Sequence, residues 1–428
     1  MGHPHTHEEI RVPPRTQRIL LIALAPFLVA TLLGLLLLWP DTAKLDLGRG
    51  GFDATEYKAE VTEVVPRDCP DFPGQENFTC STVTVELAEG EDAGDTFSME
   101  FSSGPRTRSV RRGDGVIVGT AQQQQQTEAT PGAPAPSKYF FLDFDRRVPL
   151  LALAIVFSLV VIGFSRWRGL AALAGLGASL LVLVMFVLPA ILEGSEPLLV
   201  AIIGGSAIMF LALYLAHGLN VATTTAVLGT LASLLLTGLL AVLFVNISIF
   251  TGVGSEEAAF LQINQQEVNL EGLLLASIII GTLGVLDDVT VTQASAVWEL
   301  QRANPTYGVG NLYRAAVRIG RDHIASTVNT LVLAYAGASL PLLILFSISN
   351  RPLDLVLNTE IVAEEVVRTL VGSIGLVASV PITTGLAALV VTSATRIREG
   401  PNPGVEKERR STRTHRRPRR EREFRDDP

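Results

Sequence analysis

Cysteine is almost absent: the 428 residues hold two, Cys69 and Cys80, both inside one polar stretch. A closed zinc site takes four nitrogen or sulfur ligands, and no histidine lies near this pair. A disulfide is therefore the expected state, with free thiols as the alternative. Also missing are a phosphate-binding Gly-rich loop, a dinucleotide fingerprint, an ordered Ser-His-Asp set and any zinc spacing. Energy drawn from ATP within this chain is thereby argued against, and no cofactor is expected. Charge is scarce too wherever the chain is most apolar. Most Asp, Glu, Lys and Arg fall in 1–18, 41–147 and 393–428, which leaves 148–392 as a series of apolar runs.

Hydrophobic residues make up 48% of the chain, too many for an ordinary soluble enzyme. Runs of roughly 18 or more apolar residues can cross a hydrocarbon core about 30 Å thick. Such segments must close their own backbone hydrogen bonds, so they are expected to be helical. The first run is 19–39, preceded by Arg11, Arg15 and Arg18. It is too long for a cleaved signal and no small-residue cleavage site follows it, so it reads as an uncleaved anchor. Further runs lie at 148–164, 169–192, 197–216, 221–247, 272–290, 324–347 and 367–392. The expected fold class is thus an α-helical polytopic membrane protein of about eight spans, with a small extracytoplasmic β-barrel or sandwich inserted.

Basic residues stay on the cytoplasmic side of a membrane. Eight spans put Arg11, Arg15 and Arg18, Arg166 and Arg168, Arg302, Arg314, Arg318 and Arg321, and the tail after Thr395 on that one side. The opposite loops agree: Glu193 and Glu196 are acidic, and 251–271 carries Glu256, Glu257, Glu267 and Glu271 with no Lys or Arg. The net charge of −8 averages compartments of opposite sign. The domains read as a cytoplasmic tail 1–18, a first helix 19–40, a β-rich segment 41–147, a seven-helix domain 148–392 and a basic, disordered cytoplasmic tail 393–428. The expected location is the bacterial plasma membrane, with both termini cytoplasmic.

Segment 41–147 alternates polar and apolar residues in stretches broken by Gly, Asp and Pro: 57–65, 81–87, 96–101, 115–118 and 139–144. That pattern predicts about five short strands, which a small barrel or sandwich closes without long edges. The Gln-rich stretch 121–137 reads as a loop. Asn77-Phe-Thr79 matches a glycosylation acceptor too short to weigh. His3, His5 and His7 form a weak metal tract on a terminal arm. The Arg-dense tail reads as a topology signal ahead of a lipid or nucleic-acid contact, and no nucleic acid is expected as a partner.

Ionisable groups inside apolar spans are costly and are functional candidates by default. Asp287 and Asp288 lie in the sixth run, Asp287 roughly 22 Å beyond Gly272 at 1.5 Å per residue. Asp288, Thr292 and Ser295 share a helix face, with Gly284 a turn earlier. A carboxylate among hydroxyls offers hard oxygen ligands for a proton or cation, while a helix cap at the membrane edge is the plainer reading. The identity of any metal stays open. Asn329 and Thr330 in the seventh run come to a similar depth, and His217, Asn220 and Thr223 to Thr225 sit at a turn on the same side. Each alone is more often a satisfied contact between helices. Pro341 and Pro381 interrupt the seventh and eighth runs, and broken helices recur at transporter sites. Before the last run, Glu364 and Arg368 are spaced to pair as i,i+4.

Three ordered stretches carry a resemblance: Gly281-Thr-Leu-Gly-Val-Leu-Asp-Asp288 with Gln293-Ala-Ser; Gly320-Arg-Asp-His-Ile with Asn329-Thr-Leu-Val-Leu-Ala-Tyr-Ala-Gly337; and Gly372-Ser-Ile-Gly375 with Pro381-Ile-Thr. They are similar to the YibE/F-like family of bacterial multi-pass membrane proteins, over the whole apolar part. The resemblance implies a permease-like protein without naming a substrate. It also ranks Asp288, which completes a Gly-x-x-x-Asp pattern from Gly284, above Asp287. The expected function is a permease or channel for a small solute or ion, coupled to a proton or cation through an intramembrane Asp. The alternative is a scaffold or accessory protein whose β domain binds a cell-envelope partner, and self-association into a homo-oligomer stays open. An intramembrane aspartyl hydrolase is set aside: Gly284-Val-Leu-Asp287 lacks the second Gly of that motif, and Asp322 is the sole second acid. No enzyme is expected.

Overall fold

The computed structural model describes residues 12–41, 55–67, 69, 78–90, 92–104, 108–120, 138–265, 267–348 and 351–398. His3, His5, His7, Asn77, the loop 121–137 and the Arg-dense tail lie outside those residues. The chain divides into two compact units, one drawn from Met1–Thr42 with Ala174–Pro428, the other from Ala43–Leu173.

The smaller unit is an antiparallel sheet of five strands, β1 (Thr55–Arg67), β2 (Thr79–Leu87), β3 (Thr96–Ser103), β4 (Gly115–Thr120) and β5 (Tyr139–Phe144), in the order β3-β2-β1-β4-β5. Period-two alternation sends Val83, Val85 and Leu87 of β2 inward with Ala59, Val61, Met99, Val116 and Val118, while Glu86 stays outside. The register of β1 slips between Val61 and Glu63, a bulge that adds local twist. The sheet curls so that its ends approach through aromatic rings: Phe97 lies 4.8 Å from Tyr139 and Phe101 5.3 Å from Phe141. The result is a half-barrel, where the sequence pattern allowed a closed barrel or a sandwich. Alternation dictates which side is buried, but closure depends on whether β3 and β5 pair.

Cys69 and Cys80 form a disulfide. The register sets Arg67 of β1 opposite Cys80 of β2, so a chain leaving β1 brings Cys69 back to it. Asp92, in the β2–β3 turn, accepts hydrogen bonds from Lys138 at 2.5 Å and from the Tyr139 hydroxyl. These bonds, Lys138 first, hold the Asp92 carboxyl below its ordinary range, and the same carboxylate raises Lys138. α2 (Arg147–Ser165) follows and buries no residue. Its Leu150, Leu151, Leu153, Ile155, Val156 and Phe157 are half or more exposed, which is how a helix solvated by lipid would look.

The larger unit is helical. Its elements are α1 (Pro14–Leu37); most of a run formed by α3 (Trp167–Val182), a π-helical turn Leu183–Val187 and α4 (Leu188–Leu192); α5 (Pro197–His217); α6 (Val221–Ile247); a short α7 (Glu256–Asn264); α8 (Leu270–Ala303); α9 (Val309–Ala338); α10 (Leu340–Ile348); a short α11 (Leu353–Leu357); and α12 (Glu360–Arg398). Leu24, Met209, Phe210, Val227, Leu231, Ile279 and Leu283 knit α1, α5, α6 and α8 together. Leu20, Val297, Trp298, Leu312, Ala316, Ala387 and Val391 join α1, α8, α9 and α12 at their other end.

Among the described residues, seven helices are long and apolar enough to cross a bilayer, and α9 with α10 makes an eighth only if the pair crosses as one, because they meet at 62°. The bend falls at Ser339. Pro341, at the second position of α10, has no N–H to give back and its ring crowds the preceding turn. The first half of α9 is also polar, exposing Asn311, Arg314, Arg318, Arg321 and Asp322. Pro381 acts otherwise and is a correction: α12 runs unbroken through it. The missing N–H costs one ladder bond, but the neighbouring Ser379, Val380, Thr383 and Thr384 are buried, and the helix continues.

Candidate functional site

α6, α8 and α12 approach closely because glycines on one helix face hydroxyl side chains on another. A Cβ built on Gly229 of α6 would lie 2.2 Å from Thr383 Oγ1 of α12, and one on Gly375 of α12 would lie 2.0 Å from Thr237 Oγ1 of α6. The seam between these helices is consequently polar as well as tight. Most of its hydroxyls are satisfied within their own helix: Ser233 donates to Gly229 O at 2.8 Å, Thr237 to Ser233 O at 2.8 Å and Thr282 to Ile278 O at 2.9 Å. This is the ordinary use of Ser and Thr in an apolar helix.

Asp287 departs from that pattern. The Thr230 hydroxyl lies against its carboxyl, and Thr230 is itself 2.6 Å from the Thr290 hydroxyl, both fully buried. The Oδ1 atom of Asp287 is sealed from solvent and has no hydrogen-bond partner among the described residues. Two turns on, Gln293 is fully buried and accepts from Thr384 at 3.0 Å. Its Nε2 and the Thr383 hydroxyl are likewise sealed and unpartnered. Buried polar atoms are nearly always paired, so three such atoms along one seam ask for an explanation.

Asp288 points the other way. Its side chain is 70% exposed, with His323 of α9 at 3.8 Å. Burial thus reverses the ranking that the sequence suggested for the two carboxylates. Neighbouring residues of a helix lie about 100° apart, so only one can face the seam. Thr292 is half-buried on α8. Asn329 and Thr330 are exposed on α9, whose buried line runs through Leu312, Ala316, Gly320 and Leu331. Thr330 donates to Ser326 O at 3.0 Å. These residues are not brought to Asp287. Asn220 caps α6 by accepting from Thr223 N at 2.9 Å. Among the described residues, no group of three or more His, Cys, Asp or Glu could hold a metal ion. Thr230 was not singled out from the sequence, and Thr290, Thr383 and Thr384 entered only inside longer motifs, not as site residues. The spacing of Thr230, Ser233 and Thr237 at intervals of three and four was the available signal.

The family model described as YibE/F-like protein matches residues 153–393, a span that takes in Asp287, Gln293, Thr383 and Thr384. The chain belongs to this family. No curated protein and no solved structure matches it. In this YibE/F-like chain the matched stretch runs from within α2 through nearly all of α12, so the polar seam lies wholly inside it. Strands β1 to β5 fall before it.

Proposed function

We propose that this YibE/F-like chain is a permease or channel for a small solute or ion, with Asp287 as its proton- or cation-coupling carboxylate. The supporting observation is the Asp287 carboxyl, pressed on Thr230 with one oxygen sealed and unpartnered at the α6–α8–α12 seam. A lone carboxylate in an apolar interior is strongly disfavoured. The group becomes tolerable there when it holds a proton or a cation, and releasing either makes it a transport step. Asp288 beside His323 lies on the exposed face of the same helix and would be a relay at most. The reaction is transport, with no bond made or broken in the cargo.

The surroundings proposed are the bacterial plasma membrane, crossed several times, with both termini cytoplasmic. Charge separation in the helical unit supports this. Arg302, Arg314, Arg318 and Arg321 gather by the α8–α9 turn. Glu196 meets Asn269, and Glu360 meets Thr251, at the other end. The purified chain in vesicles loaded with a pH-sensitive dye would test coupling. Asp287→Asn is expected to cut ion-driven proton flux at least tenfold while Asp288→Asn retains most of it. Equal flux in wild type and Asp287→Asn removes the proposal.

A second reading makes the protein a scaffold whose β unit binds an envelope partner. The observation in its favour is that the half-barrel forms a unit with its own core and leaves β3 and β5 as edges. Deleting residues 45–145 would then abolish partner capture while the helical unit stays folded.

A further inference from the structure

The first turns of α12 carry four charges, Glu360, Glu364, Glu365 and Arg368. Glu360 latches the loop after α6: its Oε1 accepts from Thr251 N at 2.6 Å and from Gly252 N at 2.8 Å, and the Thr251 hydroxyl donates to it at 2.8 Å. Glu364 lies under the same loop, where a Cβ on Gly254 would come 2.9 Å from Glu364 Oε1. Arg368 does not use Glu364, its expected i,i+4 partner. It donates through Nη1 to Glu365, and through Nη2 to Ser277 Oγ of α8 at 3.2 Å. Tyr335 of α9 lies within electrostatic reach of both Arg368 and Glu365.

Two polar atoms in this cluster are sealed and unpartnered among the described residues: Arg368 Nε and Glu364 Oε1. They belong to the two members of the pairing that is not made. On a helix, a residue meets its neighbours at i−3 and at i−4 equally well. Arg368 therefore has two carboxylates within reach on its own helix, and the Glu365 arrangement carries a bond to α8.

We propose that Arg368 gates the extracytoplasmic end of the α8–α12 seam, closed when it pairs with Glu365 and Ser277 and open when it passes to Glu364. The inference rests on the transport reading for its topology and for the route that the gate closes. Closed, Arg368 bridges α12 to α8 five residues before Thr282 and ten before Asp287. Open, the α8 contact is given up, and the charge moves beneath the 251–254 loop. The charged and titratable groups facing Arg368 are Glu364 and Glu365 from its own helix and Tyr335 from α9, with Glu360 beside Glu364; Ser277 is its α8 contact.

The chain offers a clean test, because its two native cysteines are joined to each other. A single cysteine at Thr282, which is 2% exposed, would be the one free thiol. The full-length Thr282→Cys protein in vesicles is treated with a membrane-impermeant cationic methanethiosulfonate from either face. Glu365→Gln is expected to raise the labelling rate about tenfold from the extracytoplasmic face only. Glu364→Gln is expected to lower it below the Thr282→Cys parent, because the open arrangement has lost its partner. Opposite signs distinguish a gate from a merely structural cluster, which both changes would loosen alike. Rates within twofold of the parent for both variants, or shifts of the same sign, overturn the gate. Should Asp287→Asn leave flux unchanged while the opposite shifts persist, the coupling role of Asp287 falls and the gate stands.

Discussion

Adding one methyl group to α12 gives the sharpest check on the seam. In Gly375→Ala the new carbon would arrive 2.0 Å from Thr237 Oγ1 and 3.2 Å from its Cβ. Non-bonded heavy atoms rest at about 3.5–4.0 Å, so the two groups must separate by more than an ångström. Thr237 has nowhere obvious to go: it is fully buried and its hydroxyl donates to Ser233 O at 2.8 Å. Overpacking of this kind costs about 1–3 kcal/mol, and losing the hydroxyl bond adds about 1 kcal/mol. Against this stands a gain of about 1 kcal/mol for alanine over glycine inside a helix. Sterics win, and a net loss of about 1–3 kcal/mol is expected. Gly284→Ala in α8 is the matched control, since its Cβ would meet nothing within 4 Å; it should be neutral or gain about 1 kcal/mol. Thermal unfolding of the detergent-purified chain reads all of these. Gly375→Ala should melt several degrees below wild type, and adding Thr237→Ala should restore most of the loss by vacating the space. A Gly375→Ala protein as stable as wild type, or one that Thr237→Ala fails to rescue, would refute the packing argument and with it the close α6–α12 approach that frames Asp287.

The half-barrel supplies two further predictions. Asp92 is held below its ordinary value of 3.8 by Lys138 and Tyr139, so its contribution to stability is complete above that value and disappears as pH falls through the lowered one. Melting of the wild type should therefore decline with acid below about pH 4, and Asp92→Asn should melt lower at neutral pH while lacking that part of the decline; an unchanged acid profile would show the contact to be idle. Replacing Cys69 and Cys80 together by serine opens a loop with a sequence separation of 11, which should destabilise the sheet by about 2–4 kcal/mol, as followed by protease susceptibility of the full chain under non-reducing conditions.

The sequence alone determined the elements whose patterns have a single physical meaning. Apolar runs announced most of the long helices, because a span of that length and hydropathy is expected to close its own backbone hydrogen bonds; α9 was the exception, since it starts in a polar stretch and the run 324–347 bends by 62°. Alternation in 57–65 and 81–87 announced strands, since a side chain in a strand must fall on one face or the other. Two lone cysteines eleven positions apart in a polar segment announced their bond. Rotation about each helix axis was not legible in the same way. Lipid and a packed interior are equally apolar, so the hydropathy of α8 does not say which side faces α6 and which faces outward. The choice between Asp287 and Asp288 therefore waited on the tertiary structure, as did the exposure of Asn329 and Thr330. The same holds for local rules that admit two outcomes. Pro341 ends a helix and Pro381 does not, because close packing around one overrides the broken ladder. Arg368 could reach Glu364 or Glu365, and the structure pairs it with Glu365 and with Ser277 of a distant segment. Element type came from the chain, and the facing of each side chain came from what the chain packs against.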